Sequence, residues 1–293
     1  MTSIADKQDS DAAIRLLKAV AMTHLYNQRA QALSFGVSII LAIAGLLAGS
    51  GHSYGAVVIL IGAVWAAVYK AVMAPWADGY LRIAATMQEM FDTELLELPW
   101  NRVAVGERIG DDEVSRLSRR FRGDEDRLRG YYLVANAAEP CDVLFCLEQN
   151  LAWGSRVRRR FAQMMLAILV LWSVAGIVFT SATGATVSRL LTLWFVPSLG
   201  LLLVCLEMYR TQMASTRERL RVLTLVRAAI DEPSSASKPE ALTLFARQVQ
   251  DTLFHVRRLQ PRLPRWFFQR YHDQDKADFL VRMQLLESKF PRS

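Results

Sequence analysis

The residues best suited to chemistry lie in two short runs, Gln88-Glu89-Met90-Phe91-Asp92 and Leu98-Pro99-Trp100-Asn101. Glu89 and Asp92 are three apart and share a helical face, and paired carboxylates can act as general acid and base. No nucleophile and no metal-ligand set accompanies them, so no catalytic residue is assigned. Such carboxylates more commonly pair with arginines and cap the next segment, and Arg156, Arg159 and Arg160 are the partners expected here. Tyr132, after Tyr131, and Gln149-Asn150-Leu151-Ala152-Trp153 add amides and aromatics, which can read a nucleobase by stacking and edge hydrogen bonds. Packing of Trp153 at a membrane boundary is the plainer expectation, because indoles concentrate there. Cys141, Cys146 and Cys205 do not stand at zinc-site spacing, and the four histidines are scattered. Reduced thiols, no metal and no cofactor are expected.

The elements that position these residues follow from charge. Between Arg29 and Lys70 the chain runs 40 residues without a formal charge, interrupted only by the turn-like Gly49-Ser50-Gly51-His52-Ser53-Tyr54. The apolar halves, 34–49 and 55–73, each approach the roughly 30 Å needed to cross hydrocarbon at about 1.5 Å per residue. The pattern recurs at 161–188 and 190–206, separated by a polar turn and Arg189. The fold class expected is an all-α polytopic membrane protein, with four transmembrane helices arranged as two hairpins. Five segments follow: an N-terminal helix (1–33), hairpin 1 (34–73), a helical domain (74–160), hairpin 2 (161–208) and a helical C-terminal region (209–293). Basic residues flank the hairpins while their turns together hold only Arg189, which places both termini and the central domain in the cytoplasm. A cleaved signal peptide is not expected.

The chain is 52% hydrophobic and 22% charged, too apolar for disorder and too charged to lie wholly in lipid. Residues 75–160 hold 13 basic and 15 acidic side chains, and residues 209–293 hold 16 and 9, so the net charge of +7 resides at the C-terminal end. Attraction to anionic head groups explains that excess more simply than nucleic acid does. The mixture of cations and aromatics in Arg265-Trp266-Phe267-Phe268-Gln269-Arg270-Tyr271 also suits a membrane interface.

Residues 11–29 carry a helical apolar face and should run on into the first span; 79–98 should form a helix ended by Pro99, and 113–129 a highly charged helix. Helices are also expected over 141–153, 209–230, 240–259 and 276–288. Within the spans, Gly45 and Gly49, like Gly62 and Ala66, stand four apart, a spacing that lets helix backbones approach closely within or between subunits. Pro197, with Gly200 one turn later, offers a hinge for a gate.

The succession QEMFD, LPWN, GYY and EQNLAWGSRVRRRF between two transmembrane hairpins resembles the SMODS-associated four-transmembrane effector family, within the broader SLATT group of bacterial membrane effectors. The run from Val249-Gln250-Asp251 through Arg257, followed by Pro264-Arg265-Trp266-Phe267-Phe268, is similar to that family's ending. The resemblance implies a pore-forming effector of antiphage defence in the bacterial inner membrane, coupled to nucleotide second-messenger synthesis and harmful to its own cell when triggered. Four apolar helices enclose little polar surface, so conduction calls for a homo-oligomer. A cyclic oligonucleotide, or a partner protein that senses one, is the expected signal. Candidate sensing residues are Glu89, Asp92, Trp100, Asn101, Tyr132, Gln149, Asn150, Trp153, Arg156 and Arg159. The alternative function is a non-conducting membrane-anchored scaffold that recruits a cytoplasmic signalling partner.

Overall fold

The computed structural model of the protein describes residues 4–48, 55–133, 141–231, 239–264 and 266–271, with four further positions at 277, 280, 281 and 284. Among the described residues every regular element is helical. In chain order these are α1 (Ile4–Gln8), α2 (Asp11–Ala48), α3 (Gly55–Val68), α4 (Ala74–Leu95), α5 (Arg102–Val105), α6 (Asp111–Arg119), α7 (Cys141–Ala152), α8 (Ser155–Thr183), α9 (Val187–Leu190), α10 (Val196–Asp231) and α11 (Pro239–Leu259). Among the described residues four helical stretches are long and apolar enough to cross a membrane: Asp11–Leu47, Gly55–Leu95, Asp142–Thr183 and Val187–Asp231.

The chain divides into two compact units. One, the polar unit, comprises Met1–Leu25, Tyr80–Arg158 and Ala214–Ser293; the other, the apolar unit, comprises Tyr26–Gly79 and Arg159–Met213. The N-terminal, central and C-terminal blocks that the sequence separates therefore fold as one body. In the polar unit Leu17 and Val20 of α2, Leu81 and Phe91 of α4, Leu147 of α7, Val226 of α10 and Leu253 of α11 are buried. In the apolar unit the outward side chains are themselves apolar: Ile40, Leu47, Leu60, Leu171 and Phe179 are all more than half exposed. A helix bundle that is hydrophobic on its outside as well as its inside requires lipid as its solvent.

Two wide π turns punctuate the apolar unit. Tyr69–Met73 links α3 to α4, and Leu191–Phe195 links α9 to α10. Each stands just ahead of a proline, Pro75 and Pro197, and each closes with an N–H reaching back five residues, Ala74 to Tyr69 and Val196 to Leu191. Proline lacks an N–H and its ring collides with the carbonyl four residues earlier, so widening the preceding turn accommodates it without ending the helix. This explains why α4 begins at Ala74, before Pro75, rather than at the expected residue 79.

Three further differences from the sequence reading have local causes. The charged helix expected over 113–129 ends at Arg119, ahead of Gly123; the Arg122 guanidinium donates to the carbonyls of Arg119 and Phe121, and a short 3-10 turn follows at Asp126–Leu128. Helix α7 stops at a turn where Gly154 takes φ +73°, a left-handed conformation that side chains rarely adopt. The arginines after it then start α8 and run directly into the third span. The hairpin turn 49–54, including Gly49, lies outside the described residues, as does most of the helix expected over 276–288.

Candidate functional site

Helix α4 carries Glu89 and Asp92 on a face that is completely buried. An isolated buried carboxylate is very costly, so each must find cations and donors. These come from α11, whose residues Arg247, Gln250 and Arg257 fall at helical spacing along one side. Arg247 Nη2 donates to Glu89 Oε1 (2.5 Å) and to Asp251 Oδ1 (2.8 Å). Gln250 Nε2 bridges the two carboxylates, donating to Glu89 Oε2 (2.8 Å) and Asp92 Oδ2 (2.9 Å). Arg257 pairs with Asp92 Oδ2, while the Tyr132 hydroxyl (2.8 Å) and Gln88 Nε2 (3.2 Å) donate to Asp92 Oδ1. The partners of Glu89 and Asp92 are thus Arg247 and Arg257, and not the arginines of 156–160 that proximity in sequence suggests.

The network spreads through the other polar residues singled out by the sequence. Asn150 donates from Nδ2 to the Tyr132 hydroxyl, and its backbone carbonyl accepts from Arg219 Nη1 at 2.6 Å. Gln149 holds the extended segment beside Tyr132, accepting from the Leu133 N–H (2.9 Å) and donating to the Tyr131 carbonyl (3.0 Å). Gln8 of α1 does the same for Tyr132, accepting from its N–H at 2.7 Å and donating to its carbonyl at 3.3 Å. Asn101 caps α5 by accepting from the N–H groups of Val103 and Ala104, and its amide donates to Asp251 at 2.9 Å. Trp100 is adjacent, its indole donating to the Gly106 carbonyl at 2.9 Å and its ring lying 4.9 Å beneath the Arg108 guanidinium.

Burial pushes the Tyr132 phenol well above its ordinary pKa, and the charge of Asp92 adds to the effect. Its hydroxyl therefore stays protonated and keeps donating to Asp92. Burial alone would lower Arg257, but Asp92, and then Tyr131 and Tyr132, more than offset it and raise the guanidinium above its usual value. Every carboxylate oxygen of Glu89 and Asp92 already accepts a hydrogen bond. They are a clasp between α4 and α11, their oxygens engaged by the partners that hold the two helices together. Among the described residues no group of His, Cys, Asp and Glu could hold a metal ion.

Of the candidate sensing residues, Glu89, Asp92, Asn101, Tyr132, Gln149 and Asn150 share this network, with Trp100 beside it. Trp153 lies at the turn ending α7, its N–H donating to the Gln149 carbonyl. Arg156 and Arg159 project to the exposed side of α8.

The apolar unit has a seam of its own. A Cβ on Gly45 would come within 2.6 Å of the Pro197 ring, and one on Gly62 within 2.6 Å of the Pro197 backbone. A Cβ on Gly200 would meet Trp65 at 2.7 Å and Ser38 at 2.9 Å, where Trp65 Nε1 donates to Ser38 Oγ. Ala66 is buried as well. Gly45, Gly62, Pro197 and Gly200 thus serve close helix packing within the chain.

The SMODS-associating 4TM effector domain matches residues 2–286. The chain belongs to that family. A protein of Bacillus cereus (strain VD146) named as a probable CBASS effector molecule is 24% identical over 272 residues, 90% of this chain and 91% of that protein. No solved structure matches. Membership in the 4TM effector family makes the chain a multi-pass membrane protein of the effector class.

In this 4TM effector the residues that sequence reasoning left without a role are the clasp's second half: Arg247, Gln250, Asp251 and Arg257. The signal was present. Arg247, Gln250, Phe254 and Arg257 follow 3–4–3 spacing, which places two cations and an amide beside the buried Phe254.

Proposed function

We propose that the chain is a non-enzymatic effector of an antiphage defence system linked to a nucleotide second messenger, and that it oligomerises in the bacterial inner membrane and permeabilises it when triggered. Both termini and the polar unit face the cytoplasm in this reading, and the polar unit receives the signal, either directly or through a sensing partner. The observation that carries the proposal is the near full-length family match on a chain whose apolar unit presents bare hydrophobic side chains on all four spans. Pro197 packs against Gly45 and Gly62, and Trp65 against Gly200, inside that unit. A conducting path is accordingly expected between subunits rather than through one.

The test is induced expression together with a nucleotide cyclase, followed by a membrane-potential dye. Depolarisation within minutes is the expected outcome, accompanied by ion flux from liposomes holding the purified, triggered protein. Liposomes that stay sealed while the protein still recruits a soluble partner would instead make it a membrane-anchored scaffold.

A further inference from the structure

A second set of cations lies in the polar unit beyond the clasp. His24 comes from α2, Arg158 from α8, Arg219 from α10, and Arg257 and Arg262 from α11 and the extended stretch after it. Their charges act on one another: Arg158 feels Arg262 and Arg257, Arg219 feels Arg158 and Arg257, and His24 feels Arg262, Arg158 and Arg257. Of the four arginines only Arg257 is paired with a carboxylate, Asp92, among the described residues. Arg219 is buried and meets neutral acceptors, the Asn150 carbonyl (2.6 Å) and Gln260 Oε1 (3.2 Å). Arg158 Nε and Nη1, and His24 Nδ1, are shut away from solvent without a hydrogen-bond partner among the described residues.

A protein interior does not normally gather guanidiniums in this way. Leaving even one such charge buried and uncompensated is strongly destabilising. Arg262 shows how an outside anion would reach the group. Its side chain is exposed, and the protein around it and the charge of Arg257 lower its pKa. Tyr131 adds an aromatic ring at the same place, 5.3 Å from Phe91 and 5.0 Å from Tyr132 and subject to the charges of Arg257, Arg262 and Arg219.

We propose that Arg158, Arg219 and Arg262, with His24, form a binding site for a phosphate-bearing anion carrying at least two negative charges. Guanidinium forks match phosphate oxygens in geometry, and arginines arriving from separate elements can surround a tetrahedral group that a planar carboxylate would only partly engage. Tyr131 offers a stacking surface for a base attached to that phosphate. The choice of a cyclic dinucleotide as soluble probe rests on the second-messenger reading above; the anion site itself does not.

The experiment uses the full chain in phosphatidylcholine nanodiscs, with thermal stability measured against added pyrophosphate, cyclic di-AMP or cyclic GMP–AMP, and separately in nanodiscs containing phosphatidylglycerol. At least one phosphate source should raise the melting temperature: a soluble probe identifies a free ligand, and the lipid alone identifies a head group. Arg262→Gln, at an exposed position and therefore expected to fold, should weaken that response about tenfold or more, the loss of one charge-assisted contact. Arg158→Gln and Arg219→Gln should do the same, while Arg122→Gln, equally a lost charge but exposed elsewhere in the unit, should leave it unchanged. Without ligand, Arg262→Gln should melt no lower than the parent, because it relieves repulsion. The proposal is overturned if no source stabilises the parent, if Arg262→Gln responds like the parent, or if that variant melts lower without ligand. Phosphate binding by a protein that never conducts would leave the site standing and remove the pore. Conduction triggered by a cyclic dinucleotide, with binding intact in Arg262→Gln and Arg158→Gln, would remove the site and leave the pore.

Discussion

The polar and apolar units solve the same problem, holding distant parts of the chain together, with opposite chemistry. In the polar unit α4 meets α11 through Glu89, Asp92, Arg247, Gln250 and Arg257, all charged or strongly polar and all turned inward. In the apolar unit the helices meet through glycines pressed onto Pro197, where a single added carbon would collide. The difference follows from what surrounds each unit. Lipid supplies no hydrophobic drive for helices to associate, so association there depends on close approach. Water does supply that drive, and buried ion pairs inside a water-facing core cost about as much to desolvate as they return, so they contribute pairing specificity more than net stability.

The sharpest way to break that contrast is to strand one charge of the clasp. Arg247→Met should leave Glu89 and Asp251 without their shared cation and lower unfolding stability by about 3–5 kcal/mol, measured by thermal or denaturant unfolding. Glu89→Gln combined with Arg247→Met should recover much of the loss; strict additivity of the two would show that they are not coupled. In the apolar unit, Gly62→Val drives side-chain atoms into the Pro197 backbone and should cost about 1–3 kcal/mol or more, read as lower heat resistance in detergent. Gly36→Ala is the control, since nothing lies within 4 Å of its added carbon, and it should be neutral or stabilising by up to about 1 kcal/mol. Tyr132→Phe removes the hydroxyl between Asp92 and Asn150 and should cost about 1–3 kcal/mol. Asn101→Ala removes the cap of α5 and should cost about 1 kcal/mol.

How far each unit could be foreseen also differs, for the same reason. Spans are written locally, as uncharged runs, and so were the stalk of α2 and the continuous helix through 209–230. The acidic half of the clasp was equally visible, because Glu89 and Asp92 stand three apart. The spacing of its basic half was visible too, but not its pairing, since Arg247 lies 158 residues further on and helical spacing says nothing about which distant helix a face will meet. The charged pattern of 113–129 overran its helix because exposed charges cost nothing beyond Arg119, where the helix ends. The wide turns at Tyr69–Met73 and Leu191–Phe195 left no mark in sequence except the prolines that follow them.

Those turns bear on how the chain can change in length. One residue added to an ordinary α-helix turns everything beyond it by about 100°, which would swing the packed face of a span out to the wrong side. A π turn absorbs the extra residue within itself. Among the described helices, 69–73 and 191–195 are therefore where a single residue can be lost while the packed faces stay in phase. One-residue gaps among its relatives' spans should collect there, and a one-residue deletion within 69–73 should be tolerated better than the same deletion in the middle of α3.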